Sequence, residues 1–421
     1  MDLYDVHSRP FNYEPSWSYE AKLAFAQTPV WYINAQTGDD TLAGTTEATA
    51  LATYAELRSR LMFPPVAFDC VVYVTGTTLD QIIIDGSFPV DSKIHILGVP
   101  TVTATGTFGA VTAKSEAGNT LVNIVSATLA ANPGKLVRVT SGTAGNLTAT
   151  TVVMKDLGGG SARCTNFIKK ATTAFETGVA AVTPVNGDGF EVLTCPSTTH
   201  PYINAGPCEW AIEMLAIAPP DWSYSNDWAV MGFGVFWSCI FTYYLELYGD
   251  GTIYINGCGF PGGGGDFSYV DLYDACRAVF QAGGIIGDGG GASAAIYAWS
   301  PTNRVTFDYS FCIQNSILSM SRGGFPTFIN VAAFDCTTNA FYVGNGGTMT
   351  FQGSSYGYVF GSANVAIPFY FGSNTIGQYT DKNRITVATT GADIFSFKGT
   401  TKIIATIPYS DATYYCRLIS A

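Results

Sequence analysis

The sequence is short of charge. Asp, Glu, Lys and Arg make up 12% of its 421 residues, and only three residues are His. Helical proteins carry Lys and Glu on their exposed faces, so this scarcity argues against a helical fold. Positive charge is the scarcer kind: 20 Lys and Arg stand against 32 Asp and Glu, for a formal charge of −12 and a pI near 4.6. A chain this acidic lacks the electrostatic footprint of a nucleic-acid binder and is repelled by anionic lipid. No G-x-x-x-x-G-K-[ST] loop occurs. The ten Cys include no C-x-x-C and no His-containing zinc spacing, so no metal or cofactor is expected. The opening "MDLYDVHSRPFNYEP" has neither a basic n-region nor an apolar h-region, so no secretory signal is expected.

Gly (46) and aromatics (14%) are abundant instead. That combination suits an all-β chain with many tight turns and large buried or self-associating faces. Most Cys sit among apolar residues, as in "FDCVVYV" and "WSCIFTY". They read as buried free thiols, which implies assembly in a reducing compartment. The uncharged run from Trp228 to Leu245 approaches the length of a membrane span. Its aromatics, its β-branched residues and the breaks at Gly232 and Gly234 predict a pair of buried strands rather than a membrane helix.

Four segments are expected. Residues 1–29 form an aromatic, Pro-containing arm too short for a core of its own. Residues 30–100 begin with a strand, Val30 to Asn34, and the turn-rich "TGDDTLAG". A helix follows, with Thr53 and Glu56 at capping-box spacing and Tyr54, Leu57 and Leu61 on one face. "CVVYV", "QIIID" and "KIHIL" are then serial strands. Residues 101–200 read as a β-rich inserted domain, with Thr/Val/Ala-rich strands and a break at Gly158 to Gly160. Residues 201–421 return to short strands broken by Gly, Asn and Asp, recurring at roughly twenty to thirty residues, the scale of a solenoid coil. "ATYYCRLISA" is expected to be a terminal strand.

The stretch Trp31, Tyr32, Ile33, Asn34, Gly38, Asp39, Asp40, Gly44, Thr46 and Ala50, followed by a short amphipathic helix and serial strands, resembles the N-terminal opening of pectate-lyase-like right-handed parallel β-helix proteins. The helix would plug the apolar end of such a stack. The pattern "GKLVRVTSGTAGN … GDGFEVL" resembles an insertion seen in β-helix proteins of phage particles. With the aromatic arm and the free thiols, the chain resembles a phage tail spike or tail fibre protein. The resemblance implies a homotrimer in the virion, attached to tail or baseplate proteins through residues 1–29, with a host surface polysaccharide as partner. It implies neither nucleic-acid binding nor membrane insertion. The alternative on the same scaffold is a polysaccharide depolymerase.

Several residues are candidates for chemistry. Equivalent positions on stacked coils lie about 4.8 Å apart, so carboxylates one coil apart approach the spacing of a retaining glycosidase pair. The candidates are Asp266, Asp271, Asp274, Asp288 and Asp308, with Asp288 and Asp308 spaced for one coil. Each is also readable as a solvated turn residue. Arg277, Arg304 and Arg322 are the basic residues of that stretch. Trp222, Tyr224, Tyr297 and Trp299 are candidate glycan-stacking rings, against the alternative of a core aromatic ladder. Asp39 with Asp40, and Asp188 with Glu191, could bind Ca²⁺ but have the composition of turns. Gly257 to Gly262 matches G-x-G-x-x-G, but no helix follows, and a corner loop is expected. His95 reads as a packed or edge strand histidine.

Overall fold

Among the described residues, β-branched and aromatic runs of two to nine residues become strands, accompanied by two short α-helices, Tyr54–Leu61 and Ala127–Ala130, and two single 3-10 turns. The structure, a computed structural model, describes residues 30–61, 69–84, 91–113, 122–170, 175, 179–204, 208–218, 230–242, 245–261, 270–286, 294–298, 300 and 302–308, then only the strands between Cys312 and Ala405. The arm 1–29, Arg322 and the segment "ATYYCRLISA" lie outside the described residues.

Among the described residues, three sheets of twelve, ten and seven strands have parallel ladders. From Leu245–Leu247 onward the chain visits them in rotation: third sheet, first sheet, second sheet. Successive strands of the first sheet open at Thr252, Arg277, Arg304, Phe325, Thr348, Ile376 and Lys402. Alternate residues of each strand face inward. On Asp69–Thr75 these are Cys70, Val72 and Val74, all buried. They join one apolar core that continues through Trp210, Phe236, Ile253, Phe280 and Val305. The rings of Phe236, Phe241 and Phe260 follow one another at 5.3 and 4.6 Å. Gly234 is required beside Trp210, because a Cβ there would lie 2.0 Å from the indole.

The opening stretch folds as its turn chemistry predicts. Asp39 accepts the Thr41 N–H at 2.8 Å, and Asp40 accepts the N–H groups of Ala52 and Thr53 at 2.8 and 3.0 Å. Both carboxylates are thus used in building the turn. Thr53 Oγ1 caps the helix by accepting the Glu56 N–H at 3.1 Å, while the Glu56 carboxylate pairs with Arg60 at 2.7 Å. Tyr54, Leu57 and Leu61 are the buried face and join the main core.

A fourth sheet, nine-stranded and antiparallel, lies between the first-sheet strand Lys93–Gly98 and the second-sheet strand Ser197–Ile203. Its first and last strands, Thr101–Thr107 and Gly189–Thr194, pair with each other, so the chain departs and returns side by side. It has its own core around Phe108, Phe167 and Phe190. Asp188 is part of its frame, accepting from Thr143 N, Asn146 Nδ2 and Val185 N, and Glu191 pairs with Arg138.

This sheet rests on the outer faces of the first and second parallel sheets. Ile168 and Val179 cluster with Ala211, Val235 and Trp237, and Leu136, Val152 and Met154 cluster with Ile240. The contact is close: a Cβ on Gly257 would lie 2.1 Å from Ile168 Cδ1. Gly257, at φ 60°, turns the corner after Thr252–Asn256, but within the G-x-G-x-x-G stretch the corner is short: Gly259–Phe260 is already a strand of the second sheet, and Gly262 lies outside the described residues.

Among the described residues no helix is long and apolar enough to cross a membrane. The run 228–245 reaches three sheets rather than forming a pair of strands: Phe233–Trp237, Ile240–Phe241 and the start of Leu245–Leu247. Ser238, at φ 49°, makes the extra corner that the composition did not reveal. Cys70, Cys164, Cys195, Cys208, Cys239, Cys258 and Cys276 are free and buried. Burial pushes the thiols of Cys164, Cys195, Cys208 and Cys276 up to about 12, so they are core hydrophobes rather than nucleophiles.

Candidate functional site

Two outward-facing places carry chemistry. The first lies on the first sheet, beside the antiparallel sheet. In Glu209–Glu213 and Phe233–Trp237 the strand alternation sends Trp210, Ile212 and Phe236 inward, leaving Glu209 and Phe233 on the outer face. Glu209 and Phe233 stand in register on neighbouring strands. With Phe175, Thr252 and Tyr254 they border an open groove of about 220 Å³. Phe233 is 60% exposed, the most exposed large apolar side chain among the described residues. At the lip, Lys93 pairs with Glu209 at 2.8 Å and lies 5.4 Å from the Phe175 ring centroid, within cation–π range.

The wall that carries Phe175 is held by a nearly buried charged cluster. Glu213 accepts from Lys170 of the antiparallel sheet at 2.5 Å and pairs with His95 Nε2 at 3.0 Å. Burial alone would raise the Glu213 carboxyl. The His95 hydrogen bond and the Lys170 charge outweigh it and hold the group below the usual range. His95 is thus the packed strand histidine expected from its sequence context.

The second place is on the third sheet. Leu245 and Leu247 face the core, so Glu246 faces out; Val270 and Leu272 do the same for Asp271. Glu246 and Asp271 are in register on adjacent parallel strands, which sets their backbones about 4.8 Å apart. Tyr248 donates its hydroxyl to Glu246 Oε2 at 2.9 Å and stacks on Tyr273 at 4.5 Å. Burial raises the Glu246 carboxyl, and the Asp271 charge adds to this against the opposing Tyr248 hydrogen bond. A carboxyl raised by desolvation beside a second carboxylate is the electrostatic setting of an acid/base pair.

Of the predicted carboxylates whose side chains are described, Asp271 and Asp274, the structure brings Asp271 into such a pair. Asp274 is exposed in the following turn at φ 54°, where its carboxylate accepts the Gly249 N–H at 3.2 Å. Asp308 ends a first-sheet strand in register with Gln281, so it belongs to a different sheet from Asp271. Tyr297 lies in the strand in register with Asp271. Asp266, Asp288, Trp222, Tyr224 and Trp299 lie outside the described residues. Glu246 is the partner that the sequence reading missed. Its signal was present: "LELY" at 245–248 and "VDLY" at 270–273 share one pattern of apolar, acidic, apolar, Tyr. Phe175, Phe233 and Tyr254 carried no motif. Among the described residues no group of three or more His, Cys, Asp and Glu side chains could hold a metal.

No protein-family model and no curated protein matches this chain. Several solved structures align with most of it at 9% identity, among them the following three. The lacto-N-biosidase of glycoside hydrolase family 136 from Eubacterium ramulus aligns over 88% of this chain and 68% of its own, with a TM-score of 0.23. The tailspike gp61 of Pseudomonas phage phi297 aligns over 94% and 78%, at 0.24, and the tailspike protein gp49 of Pseudomonas phage LKA1 over 93% and 79%, at 0.20.

Proposed function

We propose that this chain is a right-handed parallel β-helix of the phage tail-spike type that binds a surface glycan at the groove of Phe175, Phe233 and Tyr254. The groove carries the reading. An exposed ring beside further aromatics and an ion pair matches what a sugar presents, an apolar face edged by hydroxyls. The three parallel sheets visited in rotation support the β-helix, and the opening helix packed into the core supports an end plug. As a tail-spike protein it would act as a homotrimer in the virion, attached through residues 1–29. Depolymerase activity is the second reading, supported by the Glu246–Asp271 pair and the raised Glu246 carboxyl.

One experiment tests both readings. The full chain and its Phe233→Ala and Glu246→Gln variants are titrated against purified bacterial surface polysaccharides, and polymer length is followed by size-exclusion chromatography. Binding that weakens about tenfold or more in Phe233→Ala is expected, since the ring is exposed and its loss leaves the core intact. Unchanged binding by that variant sinks the groove as the site. Shortening of the polymer that stops in Glu246→Gln supports catalysis; an unshortened polymer removes it.

A further inference from the structure

Next to the groove the first sheet carries a charge pattern at odds with the rest of the chain. Thr252, at the groove border, is in register with Arg277 on the next strand, and Arg277 with Arg304 on the one after. Ala278 and Val305 face the core from these strands, so both arginines face outward, and both are exposed. Neither guanidinium has an ion-pair or hydrogen-bond partner among the described residues. Nearby carboxylates do not serve them: Asp274 accepts from Gly249, and Glu209 is engaged by Lys93.

Two like charges carried outward by strands about 4.8 Å apart repel, and a chain of net charge −12 has carboxylates to spare for neutralising them. We infer that this pair is an anion clamp, and that the glycan taken by the groove carries a negative charge on the sugar that passes over Arg277 and Arg304. The inference rests on the groove reading and adds the substrate class to it. A guanidinium offers a planar fork that matches a carboxylate or sulfate group with two parallel N–H donors. The in-register spacing is close to the rise of one ring along an extended sugar chain. A saccharide lying on Phe233 and Thr252 would thus present its next rings to the two forks in turn. An anion there relieves the mutual repulsion, which a neutral sugar cannot do.

The test compares charged and neutral forms of the same probe on the full chain. The probes are uronic-acid oligosaccharides (oligogalacturonate and oligoguluronate) and their neutral methyl esters, with a sulfated oligosaccharide as third arm, measured by calorimetric titration. The proteins are the wild type, Arg277→Gln/Arg304→Gln and Phe233→Ala. The expected result is at least tenfold tighter binding of an acid or sulfate form than of its neutral counterpart, weakening with added salt and lost in the double Arg variant. The arm preferred, uronate or sulfate, identifies the anion. Equal binding of charged and neutral forms, abolished in Phe233→Ala, would overturn the clamp and leave the groove standing. Preference for the anion that survives in the double Arg variant also overturns the clamp. Failure of every probe to bind counts against both.

Discussion

In the parallel sheets an inward residue stands on its counterpart in the next strand. Ile94, Trp210, Gly234 and Ile253 follow one another in register on the first sheet. In the antiparallel sheet the core gathers residues distant in sequence at one point: Phe108 stacks on Phe190 at 4.7 Å and meets Phe167 edge-on at 5.4 Å. The first arrangement is a column that can lengthen strand by strand, with each strand depending on its neighbours. The second closes on itself around three rings. The column supplies long outer faces with repeated spacing, where in-register pairs such as Glu246–Asp271 arise; the closed core supplies a wall set against one of those faces.

If the two cores are separate, the largest effect comes from emptying one and reading the other. Phe190 and Phe236 are each at most 1% exposed, and truncating either to Ala should cost about 3–5 kcal/mol. Phe190→Ala is expected to expose the amides of Thr101–Thr107 and Leu136–Ser141 to hydrogen exchange while those of Thr252–Asn256 stay protected. Phe236→Ala should do the reverse. Loss of protection in both regions by either variant would mean one cooperative unit.

The sequence made the column more legible than the seam. Period-two alternation with β-branched residues marked strands such as Cys70 to Val74, and the opening turn announced itself through Gly38, Asp39 and Asp40. Chain reversals were harder to see. Ser238 turns a corner at positive φ with no Gly to mark it, so two strands were expected where three occur. The groove was invisible because Phe175, between strands of the antiparallel sheet, meets Glu209 and Phe233 of the first sheet only through the tertiary fold. The Glu246–Asp271 pair depends on register, and register is fixed by loop lengths between strands that share no strict repeat.

The charged seam gives the next effect. Replacing Glu213 with Gln removes the carboxylate that both Lys170 and His95 engage, at a cost of about 1–3 kcal/mol. Because the carboxyl is held below its ordinary value in the fold, its contribution is complete above the usual carboxylate range and is lost as pH falls through the depressed value. Wild type should therefore show an acid-driven loosening of the antiparallel sheet from the first sheet, seen as faster exchange at Phe167–Lys170 below about pH 4. Glu213→Gln should lack that step. An identical acid profile in the variant would assign the loosening to other carboxylates.

The smallest effect tests whether the two regions feel each other through a single contact. Thr150 Oγ1 and Ser238 Oγ lie 2.8 Å apart, buried, one from each region. Removing one hydroxyl leaves the other buried without this partner, so Ser238→Ala and Thr150→Val should each cost about 1 kcal/mol. Removing both leaves nothing unsatisfied, and the double variant should recover part of the loss. The coupling from the full cycle, measured by urea unfolding, is expected at about 0.5–1 kcal/mol. Ser238 sits at φ 49°, where any side chain is strained, so Ser238→Gly serves as control: it removes the hydroxyl but relieves the backbone. If Ser238→Ala and Thr150→Val add without coupling, the hydroxyls do not hold the seam. The work then falls to Ile168 against Gly257 and to the Glu213 cluster, and the two cores are joined by shape and charge alone.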